Sequence, residues 1–297
     1  MTPLICILGP TASGKSALAL EVCARIGGEI VSCDSMQIYR GCDLATAKPS
    51  RAEREAIPHH LLDICDPNQR FSAAQWAQQA RKAIFDIETR GKKAVICGGT
   101  GFYLRALLFP DFLSDVAPDS ELKARLEAQL ETEGAAKMHA QLTAIDPEAA
   151  ARLHPNDTFR TLRALEIALL QTQQNTTAAA PQSGFGARIF GLEMPRERLY
   201  ARIDARVDAM IEAGALAELQ SLREKWGDDA PALGGVGYKQ MLPVVRDEMS
   251  MEGGIEAWKR DSRRYAKRQM TWLRHQLPLE WLDATRDVDD LAERCSE

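Results

Sequence analysis

At 297 residues, 45% hydrophobic and 27% charged with a net charge of −5, the chain has the make-up of a soluble globular protein of one large or two ordinary domains. No apolar stretch approaches the roughly 18 residues of a membrane span, so a cytoplasmic protein with no membrane partner and no signal peptide is expected. Seven cysteines without a C-x-x-C pair argue against a disulfide framework or zinc site, and the acidic balance leaves local Lys/Arg clusters as the informative feature.

Leu4–Leu8 reads as a buried strand leading into Gly9-Pro10-Thr11-Ala12-Ser13-Gly14-Lys15-Ser16, the pattern G-x-x-x-x-G-K-[ST]. Glycines let the backbone curl until successive N–H groups point inward, and the helix that follows, Ser16 to Ile26, presents its positive end. Such a loop handles a diphosphate or triphosphate. Lys15 reaches the outer phosphates and Ser16 offers its hydroxyl to Mg²⁺. A second strand, Glu29–Cys33, runs out into Asp34-Ser35-Met36-Gln37. Ligands of open α/β sheets bind at the carboxyl ends of strands, so Asp34 is expected to face the loop as a general base, a metal-bound carboxylate or a turn cap. Gln37 carries a donor and an acceptor that suit an adenine edge.

His59-His60 reads as a loop pair without the Cys or carboxylates of a metal site, and structural or substrate-positioning roles are expected. Ser72 with Gln75 forms a capping box for a helix that runs to about Thr89, with Gly91 as its stop. The third strand, Ala94–Cys97, ends in Gly98-Gly99-Thr100-Gly101. Three glycines in four residues imply close backbone approach to a ligand, or a tight strand-to-helix turn. The metal-binding carboxylate that ends this strand in an ordinary ATPase is missing.

After Pro110 the texture changes, and from about Ser120 to Gln171 the chain is almost wholly helix-forming. Gln173 to Gly186 reads as a flexible loop, and Ala187–Leu192 as a return to the sheet. The fold class expected is α/β. Residues 1–112 and 187–297 form a P-loop, kinase-like parallel core, and 113–186 an inserted all-helical domain. Helices are expected from about Arg196 to Lys225 and from Gly254 to Arg274, with Trp281–Asp283 closing the sheet.

Three basic stretches stand out. Arg160 and Arg163 lie one turn apart where Asn156–Arg163 opens a helix of the insertion. Arg198, Arg202 and Arg206 recur at i, i+4, i+8, either a stripe that closes over a diphosphate or an exposed, ion-paired face. Trp258–Arg274 is the densest, with seven Lys/Arg against one Asp and interleaved aromatics. Arg260, Arg264, Lys267, Arg268 and Arg274 can share a face suited to phosphates and unpaired bases, the alternative being a solvated helix face.

GPTASGKS (9–16), DSMQIY (34–39), Thr46-Ala47-Lys48-Pro49, HHLLDI (59–64), GGTGFYLRALL (98–108), HPND (154–157) with RALE (163–166), Gly235-Val236-Gly237-Tyr238 and KRQMTWLR (267–274) occur together, in order. In these motifs, from residue 1 to about 275, the chain resembles the bacterial tRNA isopentenyltransferase (tRNA dimethylallyltransferase) family, which prenylates the adenine immediately 3′ of the anticodon. The resemblance implies that the loop Gly9–Ser16 holds the diphosphate of dimethylallyl diphosphate, with Mg²⁺. It implies Asp34 as the base on adenine N6, and Lys15 with Arg206 or Arg202 as stabilisers of the leaving diphosphate, with Thr100 beside them.

By the same resemblance, tRNA contacts fall on Asp34, Ser35, Met36, Gln37, Thr100 and Lys123, and on Phe159, Arg160, Thr161, Leu162 and Arg163. Further contacts fall on Gly235, Val236, Gly237, Tyr238 and Lys239. The last set is Lys267, Arg268, Gln269, Met270, Thr271, Trp272, Leu273 and Arg274. Thr158-Phe159-Arg160 departs from the family's Pro-Gln-Arg, so a glutamine contact is absent. The insertion would grip the anticodon stem-loop of a tRNA bound to a monomer. A small-molecule kinase could use the Arg stripe as a lid, yet gives no reason for the basic C-terminal segment. A GTPase-like RNA-binding module wants an N-K-x-D stretch, which the chain lacks. Prenylation of free adenine nucleotides goes with relatives that lack the long insertion.

Overall fold

The computed structural model describes residues 3–109, 119–173 and 185–297. Six strands, β1 (Leu4–Leu8), β2 (Gly28–Cys33), β3 (His59–His60), β4 (Lys93–Gly98), β5 (Ala187–Glu193) and β6 (Glu280–Asp283), form one sheet of order β3-β2-β4-β1-β5-β6. Every pairing is parallel. Helices of the same unit are α1 (Lys15–Ile26), α2 (Arg51–Ala56), α3 (Ala73–Thr89) and α4 (Gly101–Leu108). After a second unit that holds α5 to α8, they continue with α9 (Arg196–Glu212), α10 (Ala215–Trp226), α11 (Tyr238–Val245), α12 (Met251–Gln276) and α13 (Val288–Ser296).

A parallel sheet is covered on both faces, so its central strands are apolar almost throughout. All residues of β1 and β2 are buried. On one face Ile5, Ile7, Ile30, Val95, Phe190 and Leu192 pack with Leu18 and Val22 of α1 and with Leu291 and Cys295 of α13. On the other, the buried Trp76 of α3 donates its indole N–H to the Ser32 carbonyl at 3.0 Å and stacks on Tyr103 of α4. The capping box at Ser72 and Gln75 opens α3 as expected. Because β4 lies between β1 and β2, the loops that leave these three strands at their carboxyl ends sit side by side, where an open α/β sheet binds its ligands.

The structure amends several sequence expectations. His59-His60 is an edge strand on β2, too short to carry a periodic signal. The helical run from Arg196 breaks at Gly214, whose φ of 102° is left-handed, and so becomes α9 and α10. Helix α12 starts at Met251 under the Ser250 cap, and α2, α11 and α13 were not foreseen.

Two compact units divide the chain: Met1–Phe109 with Ser183–Glu297, and Pro110–Gln182. The second contains α5 (Ser120–Glu133), α6 (Ala135–Ile145), α7 (Pro147–Ala151) and α8 (Thr158–Gln173) around Leu122, Leu126, Met138, Leu142 and Leu165. Asp119 and Asp146 cap α5 and α7 through backbone N–H groups. The loop expected from Gln173 to Gly186 falls chiefly on 174–184, outside the described residues.

Candidate active site

The turn after β1 ends at Gly14, whose φ of 96° releases the first N–H groups of α1 toward the loop's interior. A methyl on Gly14 would sit 3.7 Å from the Arg202 guanidinium, so α9 lays that arginine over the loop. Lys15 Nζ donates to the Pro10 carbonyl at 3.3 Å. Burial pulls the Lys15 pKa below the ordinary lysine value, and the Asp34 carboxylate opposes that shift. Burial lowers Arg206 as well, again against Asp34, while Arg202 adds repulsion. Lys15, Arg202 and Arg206 thus gather around one loop with a single carboxylate as counter-charge. Lys15 and Arg206 are like charges withdrawn from solvent, and Arg202 lies exposed over the loop, so this corner suits a multivalent anion that would neutralise them.

The carboxylate is held by its own turn. Asp34 Oδ1 accepts from the N–H of Met36 at 2.8 Å and of Gln37 at 3.3 Å. Thr100 clamps that turn from the end of β4, its Oγ1 accepting from Ser35 N at 3.0 Å, while its own N–H donates to the Cys33 carbonyl. Tyr265 of α12 lines the cavity, and burial pushes its phenol up. A cavity of about 320 Å³ connects Lys15, Asp34 and Arg206 with an apolar wall of Ile203, Val207 and Trp258. His59 also lines it, its Nδ1 on the Ile57 carbonyl, while His60 pairs with Glu29 outside the cavity lining.

The cavity's outer wall, Ala45 and Thr46, is fixed chiefly by Glu218 and Lys48, to which the sequence assigned no role. Glu218 accepts the backbone N–H groups of Asp43, Leu44 and Ala45 and the Tyr238 hydroxyl, at 2.9, 2.7, 3.2 and 2.6 Å. The buried Lys48 ammonium joins Asp43, Asp63 and the Tyr39 carbonyl within 2.7 Å. Glu218 sits in an unremarkable helical stretch, so no local pattern betrays it. Gln37 spends its amide on Ser32 and on the carbonyls of Thr46 and Ala47, so in this arrangement it is committed to the wall.

The glycines after β4 also differ from expectation. A methyl on Gly98 would lie 2.0 Å from the Cys33 carbonyl oxygen, and one on Gly101 would lie 2.1 Å from the Trp272 ring. Close approach of the protein's own atoms requires them.

Of the seven bases in Trp258–Arg274, three are tied to neighbouring elements. Lys259 pairs with Asp208 at 2.7 Å, Arg263 with Asp204 at 2.6 Å and Arg274 with Glu193 at 3.0 Å. Arg260 and Arg264 share Asp261. Lys267 and Arg268 are exposed, and with Thr271 and Trp272 they line a shallow groove. Four side chains expected at a tRNA surface are buried instead: Thr161, Tyr238, Gln269 and Leu273. Each sits on the inward stripe of its helix, which a motif read as a string does not distinguish from the outward one. Gly235 packs on Met36, and Gly237 caps α11 over Trp258. Val236 lines the cavity, and Lys239 is exposed.

In the helical unit, Phe159 is 78% exposed and Arg160 reaches Asp157 at 3.4 Å. Arg163 bonds the buried Glu166 at 2.7 Å, and Lys123 lies 3.8 Å from Glu127.

The donor set fits a magnesium diphosphate. Ser16 lines the cavity beside Lys15, so its hydroxyl can meet a cation that a bound diphosphate carries. Among the described residues no cluster of three His, Cys, Asp or Glu could hold a metal alone. Mg²⁺ commonly binds through few protein oxygens, substrate phosphates and retained waters, so one hydroxyl beside a phosphate loop suffices.

Residues 37–276 match the family model described as IPP transferase. A curated tRNA dimethylallyltransferase of Anaeromyxobacter sp. (strain Fw109-5) is 44% identical, the match covering 99% of each chain. The crystal structure of the full-length tRNA isopentenylpyrophosphate transferase of Bacillus halodurans superposes with a TM-score of 0.74 at 38% identity, covering 100% of this chain and 95% of that one. A eukaryotic dimethylallyltransferase captured acting on tRNA gives a TM-score of 0.79 at 29% identity, over 95% of this chain and 73% of the other.

Proposed function

The chain belongs to the IPP transferase family, and we propose that it transfers the dimethylallyl group of dimethylallyl diphosphate to the exocyclic N6 of the adenine 3′ of tRNA anticodons, releasing diphosphate. The observation that carries this reading is the juxtaposition in one cavity of Thr11 and Lys15 of the anion loop, Arg206, a turn-fixed Asp34 and an apolar wall, with Arg202 laid over the loop from outside the lining.

Adenine N6 is a weak nucleophile because its lone pair is delocalised into the ring. Asp34 takes the N6 proton as the N–C bond forms, and the allylic C–O bond to diphosphate breaks. Charge then collects on the departing diphosphate, where Lys15, Arg206, Arg202 and the loop N–H groups meet it. Ser16, with the substrate's phosphates, would hold Mg²⁺, which would neutralise further charge on the leaving group. The apolar wall of Ile203, Val207 and Trp258 receives the methyl groups and keeps water from the electron-poor carbon. The base must leave its stack to enter the cavity. Lys267, Arg268 and Trp272 present charge and a ring to the RNA, and the exposed Phe159 and Arg160 of the helical unit offer a second set of contacts.

Purified protein with Mg²⁺, labelled dimethylallyl diphosphate and unmodified tRNA should label the RNA. Labelling of free AMP but not tRNA would move the acceptor to nucleotides, and phosphate transfer from ATP to a small alcohol would replace the reading with a kinase.

A further inference from the structure

Gln269 is assigned to the RNA surface by resemblance, yet its side chain is buried and faces the opposite way. Its Oε1 accepts from the Thr11 N–H at 3.0 Å, within the anion loop. Its Nε2 donates to the Gly99 carbonyl at 3.0 Å, in the turn after β4. A methyl on Gly99 would lie 2.3 Å from that nitrogen, so the glycine leaves room for the amide. Gly99 precedes Thr100, the residue that clamps the Asp34 turn. One primary amide therefore spans the anion loop and the turn whose Thr100 clamps the Asp34 loop. The primary amide of Asn or Gln carries an acceptor and a donor on one carbon, and Gln has the longer reach.

We propose that Gln269 is a positioning residue for the diphosphate cradle, stapling the Thr11 loop to the Gly99 turn so that the anion loop and Asp34 keep a fixed separation. This rests on the diphosphate reading above. It predicts that losing the amide weakens diphosphate binding without touching RNA affinity. The Thr11 N–H loses its acceptor and the loop gains freedom, while the exposed Lys267 and Arg268 keep their charges.

The test uses the full chain and inorganic pyrophosphate with Mg²⁺ as the probe, read by calorimetry, alongside binding of an anticodon stem-loop RNA and thermal unfolding. Gln269→Met keeps the length and removes the amide. Gly99→Ala expels the amide while leaving it in the sequence. The double variant Gly99→Ala, Gln269→Ala is compared with each of its singles. Loss of one buried hydrogen-bonding group is worth roughly 5–30-fold, so pyrophosphate affinity should fall by about that factor in each single variant, with RNA affinity at the parental value. In the double variant the methyl has nothing left to expel, so its affinity should match Gln269→Ala alone. Parental pyrophosphate affinity in Gln269→Met would overturn the proposal, as would multiplicative losses in the double variant, or RNA affinity falling in step. If the parent protein itself ignores pyrophosphate, the diphosphate reading fails first, which separates the two.

Discussion

Replacing Asp34 by Asn separates chemistry from architecture at one atom. Asp34 Oδ1 accepts two backbone N–H groups, and an Asn carbonyl in the same place accepts both. The turn should hold, and stability should stay within about 0.5 kcal/mol of the parent. What disappears is the proton acceptor, so single-turnover prenyl transfer should slow by roughly 10²–10⁴-fold, the usual worth of a positioned base. Lys15 and Arg206 both feel the Asp34 carboxylate, and without it their charge is wholly available to an anion. Pyrophosphate should therefore bind as tightly as in the parent or more tightly, and RNA affinity should be unaltered. Asp34→Ala removes the turn bonds as well and should cost a further ~1–3 kcal/mol of stability at about 0.5–1.5 per bond. Rapid-quench transfer with labelled substrate, run beside urea unfolding and RNA binding, reads all of these. A near-parental transfer rate in Asp34→Asn would refute the assignment of the base. A drop in RNA affinity equal to the drop in rate would make Asp34 a recognition residue.

Arg90, which forks onto the buried Glu29, holds that carboxyl down at about 2, with His60 adding to the effect. A carboxyl depressed from an ordinary 4.5 stabilises the fold above pH 4.5, and that stability is lost as pH falls toward 2. Arg90 is partly exposed, so the share is about 1–2 kcal/mol, and the stability difference between parent and Glu29→Gln in urea should shrink between pH 5 and pH 3 by roughly that amount. Arg268→Ala should weaken RNA binding and reduce its log–log salt slope by about one, whereas Lys259→Ala, whose ammonium is tied to Asp208, should leave the slope alone. Tyr238→Phe should cost about 1.5–3 kcal/mol in unfolding by removing the hydroxyl that Glu218 accepts, with RNA affinity retained; weaker RNA binding without destabilisation would return Tyr238 to the RNA surface.

The anion loop, the strand before it and the helix after it were legible because each is a local pattern: an apolar run, glycines at a fixed spacing, and a 3.6-residue repeat. The same holds for α3, whose Ser72 and Gln75 cap is written within four residues. The bond from Lys48 across α2 and β3 to Asp63, and the Glu218 carboxylate that accepts the N–H groups of Asp43, Leu44 and Ala45, were not legible. Those partners lie far apart in the chain and meet only once the sheet has ordered its connections. The basic segment was half readable. Its charge was plain, but Asp204 and Asp208 on α9 claim Arg263 and Lys259, and no window around α12 contains them. Gln269 shows the same limit, since a motif fixes the residue type while the helix phase decides which way it points.

Position-resolved analysis of the reacted tRNA bears hardest on this reading. Unmodified tRNA treated with the protein, Mg²⁺ and dimethylallyl diphosphate is digested, and the nucleoside 3′ to the anticodon is isolated and its mass measured. N6-dimethylallyladenosine at that position, absent with Asp34→Asn and absent when the adenine there is replaced by guanine, is the expected result. An unmodified adenine in RNA incubated with folded, pyrophosphate-binding protein would contradict it, as would the prenyl group on another base.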